Sequence, residues 1–145
     1  MTRGRDPFVP GVSGVRPPPP SPIAPLDDDA PLSEEFVATV HEGLALLDDG
    51  FPWEAHERFE LCWNACRRRG ARARVMQALA KIGAAFVKER MGSAIGRATH
   101  LAGARALLDD EEAARAVCGV RVAGILEGVR AAERGERVEW GESAG

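Results

Sequence analysis

The residues best equipped for chemistry stand together in Phe51-Pro52-Trp53-Glu54-Ala55-His56-Glu57-Arg58-Phe59-Glu60-Leu61-Cys62-Trp63, a stretch that also holds half of the chain's aromatic residues. Read as a helix opening at Pro52, each residue turns the wheel by about 100°. Trp53, His56, Phe59, Glu60, Trp63 and Cys66 then share an arc of roughly 140°, the expected apolar face. His56 and Glu60 fall inside that arc, one turn apart, with an indole above and another below. An imidazole and a carboxylate on a buried face break the local pattern, and such breaks mark either a structural polar network or a site.

Three chemistries fit the pair. In a structural network the imidazole donates to Glu60 or to a backbone carbonyl, Gln77 or Lys81 completes the set, and the indole N–H groups find acceptors. In a metal site, His56-Glu57-x-x-Glu60 reads as the zinc-protease H-E-x-x-H with Glu in place of the second His, and His56 and Glu60 are the ligands. Glu57 lies about 100° from His56 on the wheel, badly placed to activate a bound water. Glu89 is the only acidic residue between Arg67 and Leu108, which leaves few carboxylates to complete the site, and His41 and His100 help only if the bundle turns them inward. In acid–base work without a metal, a carboxylate-paired histidine serves as general base, which requires a cleft. If it strands a buried His56 or Lys81 without a partner, Glu60→Ala costs on the order of 2–4 kcal/mol, whereas Glu54, expected at the surface, costs about half a kcal/mol or less.

Positioning these groups falls to helices. Ser33 is a credible N-cap, Glu34 and Glu35 suit the positive end of a dipole, and Phe36, Val37, Val40, Leu44 and Leu47 recur with helical spacing up to Asp49. Gly50 stops that helix and Pro52 opens the next at the position that tolerates proline best. So short a connection makes the two antiparallel neighbours. The second helix is expected to end near Arg69-Gly70. Arg67, Arg68, Arg69, Arg72 and Arg74 cluster there and oppose the dipole's negative end; a phosphate grip is the sharper alternative, but no aromatics interleave to stack bases. Arg72 to Arg90 is apolar around most of its circumference, the mark of a helix in the middle of a bundle. Its Gly83 and Ala84 suggest close backbone approach by a neighbour. Ala94 to Leu108 forms a small-residue helix, a short helix reaches about Val117, and a last one spans Val120 to about Glu133. No β-alternating run of useful length occurs. The expected fold is all-α, a bundle of four to five helices over residues 32–134.

The flanks read differently. Residues 1–31 carry nine of the ten prolines, so neither helix nor central strand is expected there, only a disordered proline-rich tail or a ligand for an SH3-like groove. Residues 135–145 are polar and expected to fray, Trp140 excepted. The net charge of −3 argues against duplex nucleic acid as a partner. Three cysteines, Cys62, Cys66 and Cys118, without a C-x-x-C pair suggest buried thiols in a reducing cytoplasm rather than a disulfide framework. No apolar run of about eighteen residues is present, so no spanning helix is expected.

Phe51-x-Trp53-Glu54-Ala55-His56-Glu57-x-x-Glu60-x-x-Trp63, continued by Met76-Gln77-Ala78-Leu79, Ala84-Ala85 and Gly92-x-x-x-Gly96-x-x-x-x-x-Leu101, resembles the signature of a prokaryotic family called "domain of unknown function 309". The resemblance covers roughly Glu34 to Leu108. It implies an all-helical fold, no assigned activity, and Glu54, His56, Glu57, Glu60, Trp63 and Gln77 as motif positions. The family's pattern places a second glutamine one turn after the first; Lys81 stands there, which turns the expected network into an ion pair with Glu60. Together these readings point to a non-catalytic interaction module, with a protein partner or a second copy bound and no cofactor. The alternative is a hydrolase with a divalent metal at His56 and Glu60.

Overall fold

The computed structural model describes residues 6–27 and 29–145. Among them lie seven α-helices and no strand: α1 (Glu34–Asp48), α2 (Pro52–Ala65), α3 (Gly70–Arg90), α4 (Ala94–Leu108), α5 (Glu111–Ala114), α6 (Val122–Glu133) and α7 (Trp140–Ser143). The helix starts follow local chemistry. The Ser33 and Ser93 side chains accept from Phe36 N and Gly96 N, Asp110 accepts from Glu112 N and Ala113 N, and Pro52 opens α2.

Helix α3 is the axis. It packs most extensively against α2 and α4; α1 lies on α2, and α6 on α4. The single turn α7 touches both α1 and α6, which closes the ring of helices. Val75, Met76, Leu79 and Ile82 of α3 are fully enclosed, with Phe36, Leu44, Phe59, Leu101 and Ile125 around them. No helix of the described residues is long and apolar enough to cross a membrane.

Three expectations change. First, α2 stops at Ala65 instead of near Arg69. Arg67 and Arg68 both take positive φ (58° and 57°), Arg68 N donates to Trp63 O at 3.2 Å, and the Arg68 guanidinium lies 4.4 Å from the centroid of the Trp63 ring. That left-handed reversal ends the helix before the arginine run is spent. Second, the polar end is docked beyond Trp140 as well, over residues 140–144. Trp140 is buried to 3% exposure, and the Asp48 carboxylate of α1 accepts from Trp140 N (2.7 Å) and Gly141 N (3.0 Å). Arg121 N donates to Ala144 O across the same end.

Third, the described part of the proline-rich segment is irregular, as its prolines require, but it is packed. Ile23 and Leu26 join the main core, Val9 is buried, and Leu26 N donates to Ala65 O at 2.8 Å. The part of that expectation concerning residues 1–5 and 28 lies outside the described residues.

Candidate functional site

Helices α2 and α3 meet where Gly83 lets them: a Cβ there would stand 2.9 Å from His56 Cβ and 3.0 Å from His56 Cα. The His56 ring therefore lies along the α3 backbone. Its Nδ1 is 2.8 Å from Ala80 O, and its Nε2 is 2.8 Å from Glu60 Oε1. The carbonyl can only accept, so Nδ1 carries a hydrogen and donates it. A hydrogen bond at Nε2 then needs a second proton between imidazole and carboxylate. The pair is thus an imidazolium–carboxylate or a neutral ring facing a protonated acid.

The pairing agrees with the sequence reading, but its depth does not. The His56 side chain is 26% exposed and that of Glu60 40%. The buried face of α2 runs through Ala55, Phe59, Cys62 and Cys66, so His56 lies about 100° from its centre. Large indoles drew the expected centre to their side. In fact Trp63 sits half-buried at the margin and Trp53 half-buried on the outer side of α2, while small Ala55 and Cys62 take the middle, where helices pack closest. Conversely, Glu54, expected at the surface, is the charged side chain that is buried among the described residues, at 6% exposure.

The other motif residues disperse. The stem of Lys81 packs toward α4, its Cδ 3.2 Å from where a Cβ on Gly103 would stand. Among the described residues it forms no ion pair with Glu60, whose partner is His56. Gln77 is half-buried on α3, and the partner that completes the imidazole's bonding is the Ala80 carbonyl rather than Gln77 or Lys81. Glu57 faces away from the core, yet its Oε1 is buried without a hydrogen-bond partner, as is Trp53 Nε1.

Beside His56 opens a cleft of about 230 Å³, lined by Pro10, Trp53, His56, Ala84, Val87, Lys88 and Met91. Its walls are mostly apolar, with the imidazole and one ammonium as polar accents, the usual make-up of a binding cleft. Trp53 and His56 stand with ring centroids 6.4 Å apart. Met91 is 41% exposed at the rim. His100 of α4 belongs to the same electrostatic neighbourhood. Desolvation first, and then the charges of Lys81, Lys88 and His56, hold it below the usual histidine range. The sequence reading missed Lys88, Met91 and Pro10 as a group. The signal available was Gly83-Ala84, which foretold the close approach without saying which residue would fill it.

Among the described residues no three His, Cys, Asp or Glu side chains gather as a ligand set. His56 and Glu60 remain the two donors that could share a metal, with the Nδ1 bond to Ala80 O fixing the ring. Burial raises the thiols: Cys62 is pushed up to about 12 by desolvation and by neighbouring Cys66, and Cys118 to about 11 by desolvation. Such thiols are packing groups, not nucleophiles.

Fold and site together define an all-helical protein with one flank of its central helix pair opened into a small cleft. A family described as a domain of unknown function (DUF309) matches residues 40–99, a segment from the middle of α1 into α4 that contains the motif residues named above except Leu101. The match lies within the broader span, roughly Glu34 to Leu108, over which the sequence resembles that family. No curated protein and no solved structure matches the chain.

Proposed function

We propose that this protein is a non-catalytic binding module whose recognition site is the cleft between Trp53, His56, Val87 and Met91. The observation that carries the reading is the state of the imidazole: both its nitrogens are engaged, by Ala80 O and by Glu60, at the edge of a mostly apolar cleft. A ring so tethered serves as a fixed wall and hydrogen-bonding edge more readily than as a base that must accept a proton from substrate. A photo-cross-linking residue at Met91 of the full chain tests this. The expected result is a discrete cross-linked partner, or a second copy, that disappears in Trp53→Ala. Cross-linking indifferent to Trp53 would count against the cleft.

The rival reading keeps His56 and Glu60 as metal ligands in a hydrolase, and the fixed ring favours it to that extent. Elemental analysis of the purified protein separates the two. Stoichiometric zinc, iron or manganese lost in His56→Ala would support the rival.

A further inference from the structure

The chain lays a loop of its own over this site. Val9 N donates to Ser13 O (2.8 Å), while Val12 N and Ser13 N both donate to Val9 O, closing a tight reversal. Ser13 Oγ donates to Pro7 O, and Gly14, at φ +74°, passes so near that a Cβ there would stand 2.6 Å from Pro7 O. The reversal brings two side chains onto one indole. Phe8 meets Trp53 edge-on at 5.1 Å, and the Arg16 guanidinium lies 5.2 Å from the Trp53 ring centroid. Pro10 reaches the cleft and still leaves about 230 Å³ open.

The loop is held by ring contacts, a cation and the buried Val9 side chain, and Ile23 seats the segment that follows it in the core. Among the described residues no backbone hydrogen bond ties residues 6–25 to the helices; the first is Leu26 N to Ala65 O. On the α2 face that carries Trp53, two buried polar atoms one turn apart lack partners: the donor Trp53 Nε1 and the acceptor Glu57 Oε1. A peptide unit, with one carbonyl and one N–H, is the complement of such a pair. The loop satisfies neither. Its residues also lie outside the 40–99 match, whereas Trp53, Glu57 and the helical walls of the cleft lie inside it.

We propose that the Trp53–Glu57 face of α2 and the adjoining cleft form a receptor for a partner peptide bearing an aromatic residue and an arginine, and that residues 8–16 are its built-in competitor. The incoming aromatic takes the edge-on position now held by Phe8, its arginine stacks on the indole beside the Glu57 carboxylate, and its backbone supplies the missing acceptor and donor. This rests on the binding-module reading and names its ligand. A competitor joined to the same chain acts at an effective concentration on the order of millimolar, so the wild-type site answers weakly until the loop is displaced.

The test uses the full chain and a fluorescein-labelled synthetic peptide with the sequence of residues 6–17, followed by anisotropy. Gly14→Ala spoils the reversal while keeping Phe8 and Arg16; the double change Phe8→Ala with Arg16→Ala removes the contacts and leaves the reversal. Both opened proteins are expected to bind the peptide at least about tenfold more tightly than wild type. Trp53→Ala in the opened background, or alanines at the peptide's Phe and Arg, should abolish binding. If Gly14→Ala loses its helical circular dichroism, the double variant decides. Equal affinity in wild type and opened protein, or binding that survives Trp53→Ala, overturns the proposal. Failure of the peptide with Trp53-dependent cross-linking intact at Met91 sinks the competitor alone; failure of the peptide and of cross-linking in the opened protein as well removes the binding module.

Discussion

Glu54 occupies the first turn of α2, where a carboxylate meets the positive end of the helix dipole while being almost removed from water. Truncating such a group strands whatever it bonds. Glu54→Ala is therefore expected to cost about 2 kcal/mol in urea unfolding. Glu60, with 40% of its side chain exposed, makes a screened pair with His56, and Glu60→Ala should cost less than about 1 kcal/mol. The reverse order would mean that the α2 face is rotated. Cys62 carries a pH signature. Its folded thiol ionises near 12 against an ordinary 9.0, so the folded state holds the proton more tightly. The sign follows from linkage: that stabilisation is complete below about pH 9 and is lost as pH climbs toward about 12. Unfolding free energies measured across that range should fall less steeply in Cys62→Ala than in wild type. At neutral pH an alkylating reagent should label Cys62 and Cys118 only after unfolding.

At the scale of elements, the α2–α3 pair is set by one close approach and one unusual turn. Gly83 seats the His56 backbone, so the approach of α2 to α3 beside the cleft depends on a residue without a side chain. The turn that reverses the chain between these helices uses two left-handed arginines, at about 1–2 kcal/mol per non-glycine residue. Arg67 contributes only an exposed pair with Asp27 at 3.6 Å. Arg67→Gly should accordingly raise stability by about 0.5–1 kcal/mol, read as a higher urea midpoint at unchanged slope. No gain would mean that Arg67 does more than its exposed pair with Asp27.

Across the whole molecule, α7 is a small element with a large role. Trp140 packs edge-on against Phe86 of α3 at 6.0 Å, and the Asp48 carboxylate fixes the turn that carries it. This latch joins the last helical turn to the first helix. Trp140→Ala should cost about 3–5 kcal/mol, with the loss seen as an earlier thermal transition of the entire bundle rather than of the C-terminus alone. A separate early step confined to the last residues would contradict the latch.

Period, caps and composition were enough to read the helices. Ser33, Pro52, Ser93 and the all-round apolar run of α3 act locally, through φ preferences, orphan N–H groups and a 3.6-residue repeat, so they are visible without a fold. The i, i+4 pairing of His56 with Glu60 was legible for the same reason. What packing alone decided is depth and company. A wheel cannot weigh an indole at the margin against an alanine at the centre, so Glu54 and Glu60 exchanged places. Nor can local spacing bring Phe8 and Arg16 onto Trp53, or Asp48 beneath Trp140. Those contacts join residues tens of positions apart, and their free energy exists only once the chain has closed on itself.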